Sequence, residues 1–152
     1  MGRPKIALME LAPERAGRVI DALALCGVVR ERVVVVRAHA GERPAWRPAA
    51  VIGAGGPGSV HKATTGTEFG RAVATARRLL DRWLADGVPF LGICLSHQLL
   101  ALHAGGAVRT RDAGRLLGFE TVEVLGRGGR AAGDEGPAAD GAMTGEDASA
   151  AD

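Results

Sequence analysis

The 152-residue sequence predicts a doubly wound α/β fold, a mostly parallel sheet with helices on both faces, followed by a disordered tail. Three observations carry this expectation. Short apolar runs alternate with longer stretches of helical periodicity, each helical stretch closes at a glycine, and the composition changes abruptly near Gly126.

The elements follow in chain order. Residues 5–9 suit a buried first strand. Residues 13–27 carry Ala16, Val19, Ile20, Leu23 and Cys26 on one helical stripe, with Pro13 at its start and Gly27 at its stop. Cys26 on that stripe reads as a small hydrophobe in a helix interface. Residues 33–36 are four consecutive valines, a β-branched run expected in a strand covered on both faces. A loop with two prolines, 41–48, leads to the next strand at 49–54. Residues 67–86 then place Phe69, Val73, Ala76, Leu80 and Trp83 on one helical face, closed by Gly87, with Arg71, Arg77, Arg78 and Arg82 expected on the solvated side. The apolar run 88–93 passes directly into Cys94 and a helix at 95–104 that stops at Gly105-Gly106. Further strands are expected at 108–110 and 121–125, separated by a polar turn with Asp112 and Gly114. Strands joined by helical crossovers place ligands at the C-terminal ends of the strands.

Charge divides the chain as composition does. Residues 1–125 carry a net charge of +6 and residues 126–152 a net charge of −4. The second part is rich in Gly and Ala, and Met143 is its one larger apolar residue, so it buries too little surface to offset the ordering of its backbone, about 1–2 kcal/mol per residue. We read 1–125 as the domain and 126–152 as the tail. The arginines are scattered and aromatic residues make up only 3% of the chain, which disfavours nucleic acid as a partner. No apolar window is long enough for a membrane span or a secretion signal, so a cytoplasmic protein without membrane association is expected, its two cysteines free thiols.

Two strand-ending segments can carry chemistry, Gly53-Ala54-Gly55-Gly56-Pro57-Gly58-Ser59 and Gly92-Ile93-Cys94-Leu95-Ser96-His97-Gln98. A cysteine on a sharp strand-to-helix turn is presented outward, at the helix end whose free N–H groups and dipole favour negative charge. The N–H of the following residue, Leu95, points to where an acyl oxygen on that sulfur would sit, as in nucleophile elbows built on G-x-S-x-G turns. Gly92 permits close strand-to-helix approach, and Ser96 replaces the second glycine of such a turn at an expected cost in tightness. The loop 55–58 can turn backbone N–H groups into a cavity, which suits a second oxyanion donor or a carboxylate.

These residues resemble the class I glutamine amidotransferases: 92–101 the nucleophile signature, 55–59 the oxyanion loop. The resemblance spans roughly residues 5–125 and is strongest in those two motifs. The Cys-Leu-Ser-His-Gln variant and the later Val-x-Val-Leu-Gly stretch are most similar to the glutaminases of anthranilate synthase, aminodeoxychorismate synthase and the phenazine pathway. The resemblance implies a flavodoxin-like fold and an attack by Cys94 on L-glutamine, giving a γ-glutamyl thioester and ammonia. A synthase subunit or domain, chorismate-using in this branch, would accept the ammonia. It implies that Gly56 and Leu95 hold the oxyanion through N–H groups and that Gly58 and Gln98 hold the amino-acid part of the substrate, with no cofactor.

The pattern departs from the family on one side. The family's base is a histidine two residues before a glutamate on a later loop, and no histidine follows His103. His97 lies one helical turn past Cys94, where packing or hydrogen bonding is expected of it. His61, beyond the Gly-rich loop on the same sheet edge, is expected as a solvated loop residue and is the better placed of the two to substitute. His39 and His103 are given no chemistry. The four histidines and two cysteines show no paired ligand spacing, so no metal is expected. Two other readings stand beside the amidotransferase: a catalytically silent relative acting only as a binding partner, and a truncated product. A plain nucleotide binder is disfavoured because the first turn lacks G-x-G-x-x-G.

Overall fold

The computed structural model describes residues 4–110. Its elements are β1 (Ile6–Glu10), α1 (Ala16–Leu25), β2 (Val33–Arg37), β3 (Ala50–Gly53), α2 (Glu68–Ala85), β4 (Phe90–Gly92) and α3 (Leu95–His103), all within Met1–Val108. The four strands form one parallel sheet in the order β2-β1-β3-β4, with Leu8 opposite both Val35 and Ile52 and Gly53 opposite Gly92. This is the doubly wound, flavodoxin-like α/β architecture, and the order reverses at β1 so that the loops after β1 and β3 diverge.

Each face of the sheet has its own apolar layer. Ala16, Val19, Ile20 and Leu23 of α1 pack on Leu8, Val33, Val35 and Ile52. On the other face α2 and α3 bury Val73, Ala76, Leu79, Leu80, Trp83, Leu95 and Leu99 against Ala7, Met9, Val36 and Val51. Each such leucine removed from water contributes about 1.5–3 kcal/mol, so α2 is held chiefly by its buried stripe. Its ends are also fixed: the Thr67 hydroxyl accepts the N–H of Gly70 at 2.9 Å, and the chain turns away at Gly87 with φ 69°.

Several elements differ from their sequence reading. Helix α1 begins at Ala16 rather than at residue 13, because Glu14 takes φ 63° and interrupts a helical start at Pro13. It ends at Leu25, so Cys26 becomes the C-cap and is exposed, not packed in a helix interface as expected; Gly27, with φ 79°, turns the chain off the stripe there. Strand β2 is half-covered at Val34 and Val35, since it forms one edge of the described sheet. The run expected as a strand at 88–93 pairs only over Phe90–Gly92, and 108–110 is not a strand: Val108 rests against the main core without a ladder partner. The expected polar turn, the strand at 121–125 and the tail at 126–152 lie outside the described residues.

The arginines of α2 do more than face solvent. Arg71 donates to the carbonyl of Gly66 at 2.9 Å, and Arg82 donates to that of Pro44 at 2.6 Å while lying 5.7 Å from the Trp83 ring centre. Arg47 reaches the carbonyl of Asp86 at 2.7 Å. The guanidinium fork supplies donors that glycine- and proline-rich loops lack in their own side chains. Among the described residues no helix is long and apolar enough to cross a membrane.

At the end of β1 the buried Glu10 carboxylate accepts the N–H of Ala16 at 2.8 Å, and its other oxygen lies 3.3 Å from His39 Nε2. Arg15, the N-cap, makes no side-chain cap, so Glu10 caps α1 from a distance. Glu10→Ala is expected to lower stability by about 1–3 kcal/mol by stranding that N–H, and Glu10→Gln by less, as read from urea unfolding midpoints. Equal losses in both variants would show that the charge, not the cap, is what matters.

Candidate functional site

Strand β4 passes into α3 through two residues, Ile93 and Cys94, and Cys94 adopts φ 53° and ψ −111°. A side-chain-bearing residue in this sparsely populated region costs about 1–3 kcal/mol and persists only where its surroundings fix it. Both flanks are fixed here. Ile93 N–H donates to the Gly53 carbonyl at 2.9 Å, and the Cys94 carbonyl accepts from His97 at 3.0 Å and Gln98 at 3.1 Å. Cys94 is exposed, whereas the Leu95 side chain is fully buried in the main core. The Leu95 N–H, adjacent to the sulfur, has no acceptor among the described residues.

Glycine is required where the strand meets the helix. A Cβ on Gly92 would lie 2.7 Å from His97 N and Ser96 O, backbone atoms that cannot swing aside. The close approach expected at Gly92 is therefore present. Ser96, expected to loosen the turn, tightens it instead: it is fully buried, and its hydroxyl donates to the Ala54 carbonyl at 2.7 Å. Its side chain occupies the space that Gly53 leaves open, where a Cβ would come within 2.5 Å of Ser96 Cβ.

The Gly-rich loop after β3 lies beside this turn. A Cβ on Gly55 would sit 3.2 Å from Cys94 Cβ and 3.8 Å from its sulfur, so Gly55 is the glycine against the nucleophile. Gly56 lies over the Leu95 side chain, 2.6 Å from Leu95 Cδ2 to the position of its absent Cβ. Gly58 faces the Phe69 ring at 3.2 Å by the same measure, and the side-chain oxygen of Gln98 accepts the N–H of Val60 at 3.1 Å. That bond settles the orientation of the Gln98 amide, since an N–H can only meet the oxygen, and leaves the NH₂ donors for any ligand. The structure thus brings together Cys94, Leu95, Gly55 and Gly56, and ties Gln98 to the end of the same loop.

The histidines take other places. His97 is exposed and makes no side-chain hydrogen bond among the described residues, contrary to the packing or bonding role expected of it. His61 is exposed on the short 3-10 turn Val60–Lys62, as expected, with no bond to Cys94. His103 Nδ1 meets Asp81 at 2.7 Å and links α3 to α2. His39 follows β2, three strand positions from β4 and so about 14 Å from the nucleophile's strand at ordinary interstrand spacing. Among the described residues no group of His, Cys, Asp and Glu could hold a metal ion.

Sequence reasoning passed over two contributors. Gly55 was read only as part of the 55–58 cradle, with no contact of its own to the sulfur, although a run of small residues directly after a strand marks a close approach. The tie made by Ser96 had no sequence signal, because its acceptor is a backbone carbonyl 42 positions away. A family model described as glutamine amidotransferase class-I matches residues 18–135, a span that contains both the Gly-rich loop and the cysteine turn. No curated protein and no solved structure matches the chain.

Proposed function

Because the chain belongs to the class I glutamine amidotransferases, we propose that it acts on L-glutamine through Cys94 and delivers ammonia to a synthase partner, with a chorismate-using synthase as the branch its motif variant favours. The observation that carries this reading is the strained, exposed Cys94 beside a Leu95 N–H that has no acceptor among the described residues and a side-chain-free Gly55. The sulfur attacks the side-chain carbonyl carbon of glutamine, and the negative charge moves to the oxygen, where the N–H groups of Leu95 and Gly56 stabilise it. The C–N bond then breaks, the nitrogen leaves as ammonia with the proton the thiol gave up on attack, and water hydrolyses the γ-glutamyl thioester to glutamate and the free thiol. Gly58, against which the Phe69 ring closes, bounds the substrate's amino-acid part at the loop's far side, and the donor-only NH₂ of Gln98 suits the substrate's α-carboxylate rather than its ammonium group. The setting is cytoplasmic, without nucleic acid or membrane, and no cofactor enters the reaction.

Both cysteines are exposed, so solvent access cannot tell them apart. A chloroketone analogue of glutamine is therefore expected to label Cys94 and not Cys26, while iodoacetamide labels both, as read by peptide mass spectrometry. Equal labelling of the two by the glutamine analogue would reject a site at Cys94.

A second reading rests on one observation: the Cys94 thiol makes no hydrogen bond to an imidazole among the described residues. In that reading the protein binds a partner, and the contacts around Cys94 serve assembly rather than turnover. Glutamine hydrolysis by the chain alone, above the Cys94→Ala background, rules it out.

A further inference from the structure

We propose that Ser96 is a positioning residue that locks the oxyanion loop to the nucleophile's own helix; this deepens the reading of Cys94 as nucleophile and rests on it. Ser96 lies two residues past Cys94, fully buried, with its hydroxyl on the Ala54 carbonyl at 2.7 Å. Ala54 is itself fully buried, and its N–H donates to the Met9 carbonyl of β1 at 2.9 Å. Both polar groups of Ala54 are thus spoken for, one by the sheet and one by α3.

The consequence is directional. In a trans peptide the C=O and the following N–H point in opposite directions. Drawing the Ala54 carbonyl towards Ser96 therefore turns the Gly55 N–H the other way and fixes the plane of the first peptide in the loop. That peptide leads into the residue whose absent Cβ would be 3.2 Å from Cys94 Cβ. At the loop's far end Gln98, also on α3, accepts the N–H of Val60 at 3.1 Å. The segment between Ala54 and Val60 is held at both ends by side chains of the helix that presents the sulfur, so loop and thiol keep their spacing when α3 moves. A glycine or alanine at position 96 would fill the turn without this tie and leave the buried Ala54 carbonyl without its hydroxyl partner.

The test compares the full chain with Ser96→Ala and Ser96→Gly, using two alkylating agents on Cys94. The chloroketone analogue of glutamine needs its carbonyl polarised in the oxyanion cradle; iodoacetamide does not. Both variants are expected to lose about tenfold in the chloroketone rate while the iodoacetamide rate stays within about twofold, the signature of a displaced oxyanion donor rather than a damaged thiol. Amide hydrogen exchange is expected to rise at residues 54–59 and stay unchanged in α2. Unchanged chloroketone rates, or both rates falling together, overturn the positioning role, as does unchanged exchange in the loop. Should the unaltered chain fail to react with the chloroketone while iodoacetamide still alkylates Cys94, the nucleophile reading itself falls and takes this one with it.

Discussion

Cys94→Ala is expected to cut ammonia release from glutamine by on the order of 10³-fold or more, to the uncatalysed background, measured by a coupled assay for free ammonia. The size of the loss follows from the absence of a substitute among the described residues. The Ser96 hydroxyl, two residues along the chain, is buried and committed to the Ala54 carbonyl. Cys26 caps the C-terminal end of α1, on the opposite face of the sheet from α3. Neither of these groups can take over the attack, and Cys94→Ser, with a far weaker nucleophile at the same place, is expected to fall nearly as far. A companion variant separates strain from chemistry. Cys94→Gly removes the sulfur but suits φ 53°, so it is expected to raise the unfolding free energy by about 1 kcal/mol while abolishing turnover. A fall in stability would mean that the turn is not strained, and residual turnover in Cys94→Ala would place the reaction on another residue.

Gly92→Ala is expected to have the largest effect on the fold, a loss of about 3 kcal/mol in unfolding free energy with failure of Cys94 labelling by the glutamine analogue. The added methyl would meet Ser96 O and His97 N at 2.7 Å and His97 Cα at 2.8 Å. All three belong to the backbone of α3, so relief requires the helix to lift from the end of β4, and that movement carries Leu95 and Leu99 out of the core. Gly17→Ala is the matched control. Gly17 sits inside α1 with nothing within 4 Å of its absent Cβ, and alanine there is expected to stabilise by about 0.5–1 kcal/mol. Chemical denaturation of the two variants side by side reads the contrast. A Gly92→Ala chain as stable as the parent would show that β4 and α3 are not in close contact.

The sequence by itself determined the alternation of strands and helices, because burial on a pleated sheet and on a helix imposes different periods that survive in the order of apolar residues. Helix α2 matched its reading to within a residue at each end, since Thr67 and Gly87 mark its limits as plainly as its stripe marks its face. The pairing of a glycine-rich strand end with a strand–cysteine–helix turn was equally legible, because both signals are local. Helix α1 was legible only in part: its stripe was right from Ala16 to Leu23 but not at Cys26, and a backbone angle at Glu14 and a carboxylate from the preceding strand decided where it starts. Only the tertiary structure decided which glycine lies against the sulfur, that Ser96 tightens the turn instead of loosening it, and that Gln98 spends its oxygen on Val60. Those facts depend on contacts between segments about 40 positions apart, where the partner is a backbone group of no particular side-chain type, and a linear pattern carries no trace of such a partner.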